Sequence, residues 1–421
     1  MARPGWYDAG LDRVWLPYAQ MKTAPAPLAV ARTRGSRIVL ADGRELVDGV
    51  ASWWTACHGY NHPAIADAVR AQLDAMPHVM FGGLVHEPAL ALARRLTDLL
   101  PAPLRRVFFT ESGSVAVEVA IKMALQYWLN RGERGRAKFL VFRGGYHGDT
   151  LATMAVCDPE AGMHSLFQGI LAEHVIADLP RDDAAADALD GLLERHAGEV
   201  AGILVEPLVQ GAGGMLFHGP DVLRRLRALA DRHGLPLILD EVFTGLGRTG
   251  AMFAFEQAGI VPDIVTVSKA LTGGTMALAA TVAANWVFDA FWSDDLRHAL
   301  MHGPTYMANP LACAAACASL ALFADEPRLA QVARLSEILG RGLAPCRDMP
   351  GVRDVRVLGA VGVVELERIE DPGALRRRFV EAGAWLRPFG NVVYLTPAFT
   401  ISEEEVERLL AAVRSVVGAL P

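Results

Sequence analysis

The stretch "LPLILDEVFTGLGRTG", residues 235–250, decides how the chain is read. It opens on an apolar run that ends in Asp240, and it closes on glycines spaced Gly245-x-Gly247-x-x-Gly250. That spacing is the fingerprint of a dinucleotide-binding turn. Such a turn must follow a strand directly, open a helix and meet an acid about 20 residues on. Here Asp240-Glu241-Val242-Phe243-Thr244 intervenes, and "AMFAFEQAGIVPD" after Gly250 is a poor helix opening. The glycines therefore read as a loop that takes backbone angles other residues avoid. Asp240 is the better clue. It ends a buried apolar strand, where ligands bind in open α/β sheets, and a buried acid must be paired or hydrogen-bonded.

Working outward, short apolar runs alternate with helical stretches. "RRVFFT" (105–110), "KFLVF" (138–142), "AGILVEP" (201–207), "PLILDE" (236–241), "DIVTVS" (263–268) and "LAATVAA" (278–284) read as strands. "VAVEVAIKMALQYWLN" and "PDVLRRLRALADRHG" read as amphipathic helices, the second ending at Gly234. Continuous rather than alternating apolar strands imply an α/β fold with a mostly parallel central sheet flanked by helices. The ends differ. "RIVLADGRELVDG" holds a hairpin signal at Asp42-Gly43. "SEEEVERLLAAVRSVV" is a helix with Ser402 as N-cap and a negative first turn. The expectation is a large domain over residues 60–315 and a smaller α+β domain from residues 1–59 and 316–421.

The 421 residues are 52% hydrophobic and carry a formal net charge of −7, with no long single-sign block. A nucleic-acid partner would ask for a clustered basic footprint, which is missing. Five cysteines, Cys57, Cys157, Cys313, Cys317 and Cys346, form no C-x-x-C pair. That argues against a disulfide framework or structural zinc and fits a reducing cytosol. Cys313 and Cys317 read as small apolar helix residues. The first residues lack the layout of a signal peptide. The most apolar window, "MALAATVAANWVF", is short of the roughly 18 residues of a membrane span. His58, His62, His147 and His302 lack metal-ligand spacing and read as core or loop histidines, so no metal is expected.

Three further segments carry chemistry. In "DIVTVSKALTGG", Lys269 follows the end of a strand, and a buried lysine loses its proton readily, which suits Schiff-base work. In "FFTESGSVAVEVAIK" (108–122), Ser112-Gly113-Ser114 opens a helix, where free N–H groups bind anions. In "FRGGYHGDT" (142–150), Tyr146 could stack on a flat ring. Each residue alone is more simply a strand cap, an ion-pair member or a packed tyrosine. Together they meet the protein-side needs of pyridoxal 5'-phosphate: a phosphate cradle, an aldehyde-trapping lysine and an acid for the ring nitrogen.

These motifs resemble the class III aminotransferases among the fold-type-I pyridoxal phosphate enzymes, in order and spacing, over essentially the whole chain. The resemblance implies that Lys269 would hold the cofactor covalently and that Asp240 would pair with its ring nitrogen. Gly113 and Ser114 would bind the phosphate, and Tyr146 would lie against the ring. Thr305 would reach the phosphate of a neighbouring subunit, so a homodimer with shared active sites is expected. A narrower resemblance, to the members acting in biotin synthesis, rests on "VWLPYAQM", "GVASWWTACHGYNHP", "MHGPTYMANPLACAAACASL" and "LRPFGNVVYLTP". It implies S-adenosylmethionine as donor and 8-amino-7-oxononanoate as acceptor in a ping-pong amino transfer, with Tyr18 and Lys269 in the catalytic set. Arg387 would bind the acceptor's far carboxylate, while Tyr18, Trp53 and Trp54 wall an apolar tunnel. Gly303, Pro304 and Arg248 would border the substrates. The physics agrees, since a carboxylate on an alkyl chain asks for apolar walls and one arginine fork. The alternatives are lysine as donor, another ω-amino-acid aminotransferase, a pyridoxal phosphate decarboxylase or mutase on the same scaffold, or a dehydrogenase using the glycine loop.

Overall fold

The computed structural model describes residues 4–160, 164–167 and 169–420. The chain divides into two compact units. One runs from Ala64 to Leu329; the other joins the residues up to Pro63 to those from Ala330. The second boundary lies beyond residue 315, which falls inside the helix Pro310–Asp325. That helix cannot be split. Ala315 and Leu322 pack with Ile65, and the Ser319 hydroxyl donates to the carbonyl of Ala270 at 3.2 Å.

The large unit holds a seven-stranded sheet. Its order is Leu104–Thr110, Ala279–Ala284, Ile264–Val267, Leu237–Asp240, Val200–Val205, Lys138–Phe142 and Val175–Ala177. All neighbours run parallel except Ala279–Ala284, which is antiparallel to both strands beside it. The three strands Val200–Val205, Ile264–Val267 and Leu237–Asp240 are buried throughout, so apart from Thr266 and the terminal Asp240 they carry no polar side chain and do not alternate. The edge strand Val175–Ala177 is too short to leave a pattern in the sequence. Because the other six strands share one direction, Thr110, Val267, Asp240, Val205 and Phe142 all finish along one edge. The functional groups gather there.

Helices cover this sheet for reasons visible in their residues. Gly113–Asn130 is fixed by a donation from Trp128 Nε1 to the Ala201 carbonyl at 2.8 Å. Thr281 Oγ1 adds a donation to the Ala116 carbonyl at 2.7 Å. Pro220–His233 buries Val222, Leu223, Leu226, Leu229 and Ala230, each larger side chain contributing about 1.5–3 kcal/mol. It stops at Gly234, whose φ of 62° only glycine adopts freely. The apolar window 276–288 is the sheet strand Ala279–Ala284 followed by the short helix Asn285–Asp289. Among the described residues no helix is long and apolar enough to cross a membrane.

The smaller unit is built from both ends of the chain. The Asp42-Gly43 turn closes the hairpin of Arg37–Leu40 and Glu45–Asp48. The two-residue strand Ala384–Trp385 then adds in parallel beside Val47 and Asp48. A second sheet pairs Val352–Leu358, Val361–Leu366 and Val392–Leu395. The helix Glu403–Gly418 starts in a capping box of Ser402 and Glu405. The same Glu405 accepts hydrogen bonds from Ser36 Oγ at 2.6 Å and Arg37 Nε at 2.7 Å. One buried carboxylate thus caps a helix and ties the two chain ends together. Charge-assisted bonds contribute about 1.5–3 kcal/mol each, so Glu405→Ala should lower unfolding stability by at least ~2 kcal/mol in denaturant titration. A change below ~0.5 kcal/mol would remove this tie from the account.

Candidate active site

Asp240 ends its strand buried, with 5% of its surface exposed. Its Oδ1 accepts from Thr266 Oγ1 at 3.0 Å and from the Val242 N–H at 3.1 Å. Its Oδ2 lies 2.8 Å from His147 Nδ1. That distance suits an Nδ1–H donating to the carboxylate. Thr266 is the register partner of Asp240 on the adjacent parallel strand, so strand pairing itself delivers that hydroxyl.

Lys269 follows Ile264–Val267 and Ser268 and opens the short helical turn Lys269–Thr272. Its φ is 47°, a left-handed backbone that lysine rarely takes. The ammonium sits 5.9 Å from the centre of the Phe243 ring. Burial pushes its pKa down to about 8, while the carboxylates of Asp240 and Glu206 pull the other way. Glu206 follows the strand Val200–Val205 at the same edge. Burial raises its carboxyl to about 7, and the charge of Asp240 adds to that rise. Glu206 accepts from the Tyr146 N–H at 3.0 Å and the Gly211 N–H at 2.9 Å.

The helix Gly113–Asn130 begins at the same place. Ser112 is its N-cap and accepts from the Val115 N–H. A Cβ on Gly113 would meet Val242 Cγ1 at 2.8 Å and Ser268 Cβ at 3.6 Å. Gly113 therefore lies between the residues that follow Asp240 and precede Lys269. Ser114 Oγ accepts from the Asp149 N–H at 3.3 Å. A Cβ on Gly148 would meet that Oγ at 2.3 Å, which leaves glycine as the residue that fits. This contact brings the Tyr146 loop onto the helix start. Tyr146 donates its hydroxyl to Asp149 Oδ1 at 2.9 Å and stacks on His164, centroids 6.0 Å apart. The structure thus gathers Gly113, Ser114, Tyr146, Asp240 and Lys269 in one place.

Sequence reading missed three members of this cluster. His147 is not merely a packed loop residue; it is the hydrogen-bond partner of Asp240. Glu206 carries the signal that exposed Asp240, an acid closing an apolar strand. Thr266 is the polar residue inside "DIVTVS". The glycine loop holds no helix opening. A Cβ on Gly245 would meet the Glu241 carbonyl at 2.8 Å, and Gly247 and Gly250 have φ of 88° and 104°. Close turns, not a dinucleotide, require these glycines. Arg248 in that loop is buried. Gly303 and Thr305 are exposed and Pro304 half-buried, in the segment before the helix Pro310–Asp325.

In the smaller unit, "ASWW" forms a left-handed turn: φ is 45° at Ala51, 49° at Ser52, 56° at Trp53 and 74° at Trp54. Left-handed backbone costs L-residues about 1–2 kcal/mol each, so the turn costs roughly 4–8 kcal/mol. Asp48 offsets this by accepting from the N–H groups of Val50 at 2.8 Å and Ser52 at 2.9 Å. The two tryptophans part company. Trp54 is buried against Tyr394, centroids 6.3 Å apart. Trp53 is 38% exposed and lies 4.6 Å from the Arg387 guanidinium carbon. Tyr18 stands edge-on to Trp53 at 6.0 Å, and Arg387 lies 5.9 Å from the Tyr18 ring. Tyr18, Trp53 and Arg387 thus form one cluster, while Trp54 anchors the turn.

The family model "Aminotransferase class-III" matches residues 18–417. The chain belongs to the class III aminotransferases. It is 46% identical over 419 residues to the adenosylmethionine-8-amino-7-oxononanoate aminotransferase of Mycobacterium leprae, covering 96% of this chain and 95% of that one. The crystal structure of the enzyme of that name from Methanocaldococcus jannaschii superposes with a TM-score of 0.93 at 31% identity, covering 98% of both chains. A PLP-bound amine transaminase from an uncultivated Pseudomonas species gives 0.89 at 33% identity, covering 96% of this chain and 98% of that one.

The large unit of this class III aminotransferase fits pyridoxal phosphate. The free N–H groups at Gly113 and Ser114 suit a phosphate. The acceptor-only Asp240, backed by His147 and Thr266, suits a protonated ring nitrogen. Lys269 suits an aldehyde carbon, because an amine must lose its proton before it attacks. With a pKa of about 8, about half of Lys269 is neutral at pH 8, against about 0.3% for an ordinary lysine. In cofactor-free protein, borohydride trapping of a small aldehyde at Lys269, followed by mass spectrometry, should have its pH midpoint near 8. A midpoint above about 10 would mean that burial does not activate this amine.

Proposed function

We propose that this class III aminotransferase moves the amino group of S-adenosylmethionine to 8-amino-7-oxononanoate, giving 7,8-diaminononanoate for biotin synthesis. The observation that carries the reading is the cluster of Lys269, Asp240 and the Gly113–Ser114 helix start at one sheet edge. The relatives named for this reaction support the choice of substrates. Pyridoxal phosphate, bound there, supplies an electron sink for the carbanion left when the donor loses its α-proton.

Each residue has a task in this reading. Gly113 and Ser114 bind the phosphate, and the Tyr146 ring lies against the cofactor ring. Asp240 would pair with the ring nitrogen, and His147 and Thr266 keep its carboxylate oriented. Lys269 would hold the cofactor's aldehyde carbon and, as a free amine, would take the proton from the donor α-carbon. Its lowered pKa suits a base working near neutral pH. In the smaller unit, Arg387 takes the acceptor's far carboxylate, with Trp53 and Tyr18 beside its apolar chain. Gly303, Pro304 and Arg248 border the substrates. We further propose a homodimer in which Thr305 serves the partner's phosphate. Thr305 is exposed, and Met80, Val85, Met301 and Tyr306 present apolar surface with 60–73% of their area open.

Visible spectroscopy tests the reaction. The yellow of the bound cofactor should bleach on adding S-adenosylmethionine alone and return on adding 8-amino-7-oxononanoate. Bleaching by lysine but not by S-adenosylmethionine would replace the donor. Lys269→Ala should lose at least ~10²–10⁴-fold in turnover; near-normal rates would remove Lys269 as the base. Sedimentation velocity should find a dimer at assay concentrations, and full activity in a monomer would rule out sharing through Thr305.

A further inference from the structure

The left-handed turn Ala51–Trp54 is held from outside itself. Tyr60 donates its hydroxyl to Asp48 Oδ2, and Ser52 Oγ meets the same hydroxyl, both at 2.5 Å. Asp48 in turn fixes the N–H groups of Val50 and Ser52. Tyr60 is itself anchored, exchanging backbone hydrogen bonds with Gly35 at 2.6 and 3.2 Å and packing against Ile38, Leu40 and Leu46. Gly59 makes that approach feasible, since its φ is 77° and a Cβ there would meet the Gly35 carbonyl at 3.2 Å. A rigid hairpin therefore reaches the turn through one phenol and one carboxylate.

The turn's output is the placement of Trp53. No residue from 51 to 54 is glycine, so its left-handed backbone is maintained by those bonds and not by intrinsic preference. A right-handed turn over the same residues would redirect the Cα–Cβ bonds of 53 and 54. Trp53 would then leave Arg387, and Trp54 would leave Tyr394. A guanidinium stacked on an indole face is held in plane, with its N–H edge directed outward for a bidentate carboxylate. An unstacked arginine has to order itself on binding and discriminates less.

We propose that Tyr60, acting through Asp48 and Ser52, is a specificity-determining positioning residue: it holds residues 51–54 left-handed so that Trp53 backs Arg387 and the enzyme selects acceptors ending in a carboxylate. This rests on the assignment of Arg387 to the acceptor's far carboxylate. Tyr60 itself touches no substrate in this scheme.

The test is Tyr60→Phe in the cofactor-loaded enzyme. Isothermal titration compares binding of 8-amino-7-oxononanoate with binding of its methyl ester, which keeps the chain and removes the charge. The wild type should prefer the acid at least about tenfold, as one charge-assisted pair allows. Tyr60→Phe should bind the acid about tenfold more weakly and the ester nearly as before, so the preference shrinks to under about threefold. An unchanged preference, or equal weakening of acid and ester, would overturn the proposal and leave Tyr60 a purely structural residue. A wild type without preference would instead overturn the Arg387 assignment, and the proposal with it. Should Tyr60→Phe fail to fold, Ser52→Ala removes only the hydroxyl that meets Tyr60. It should shrink the preference by about threefold, and an unchanged preference there would be equally fatal.

Discussion

Three ionisable groups, Lys269, Asp240 and Glu206, share one edge of the seven-stranded sheet, and the architecture of the large unit is arranged around them. Burial works against the charged forms of Lys269 and Glu206 alike. The carboxylates of Asp240 and Glu206 offset part of the fall at Lys269, which stays near 8, while Glu206 rises to about 7. Strand pairing makes this possible, because parallel strands finish together and deliver Asp240, Thr266 and Glu206 to adjacent positions. The remaining acceptor capacity is used by N–H groups of the Tyr146 and Gly211 segments. The Tyr146 and Gly211 segments are thus pinned by the carboxylate of Glu206.

The smaller unit follows a different logic. Its carboxylates enforce backbone geometry and not reactivity. Asp48 stabilises a left-handed turn, and Glu405 caps a helix while gripping Ser36 and Arg37. In both cases a costly local conformation or a distant chain end is fixed by a buried acceptor with several donors. Fixed acceptors of this kind give a cluster such as Trp53 and Arg387 a single arrangement instead of an ensemble.

Much of the large unit could be read from residues alone, because its signals are local. An apolar run closed by Asp240, a lysine just past the next strand and Ser112-Gly113-Ser114 before a helical pattern each announce a strand end or helix start. The sheet's six longer strands were readable for the same reason. What escaped was set by distance. His147 meets Asp240 across a loop, and no spacing rule links them. Glu206 had the right form but no second motif to draw attention to it. The left-handed turn was invisible, since "ASWW" contains no glycine and its cause lies in Tyr60 and Asp48. The paired tryptophans looked alike in sequence, yet that turn sends one into the core and the other toward Arg387.

The bond between Ser36 and Glu405 spans 369 positions of chain. During synthesis the first hairpin leaves the ribosome long before the helix Glu403–Gly418 exists. At ~5–20 residues per second the interval is about 20–70 s. The whole Ala64–Leu329 unit can fold meanwhile, around a complete sheet of its own. The early hairpin cannot finish: Leu46 and Val47, buried in the mature fold, wait with one flank uncovered. The hairpin of Arg37–Leu40 and Glu45–Asp48 therefore reaches its final contacts only after Ala384–Trp385 and Glu405 have been made.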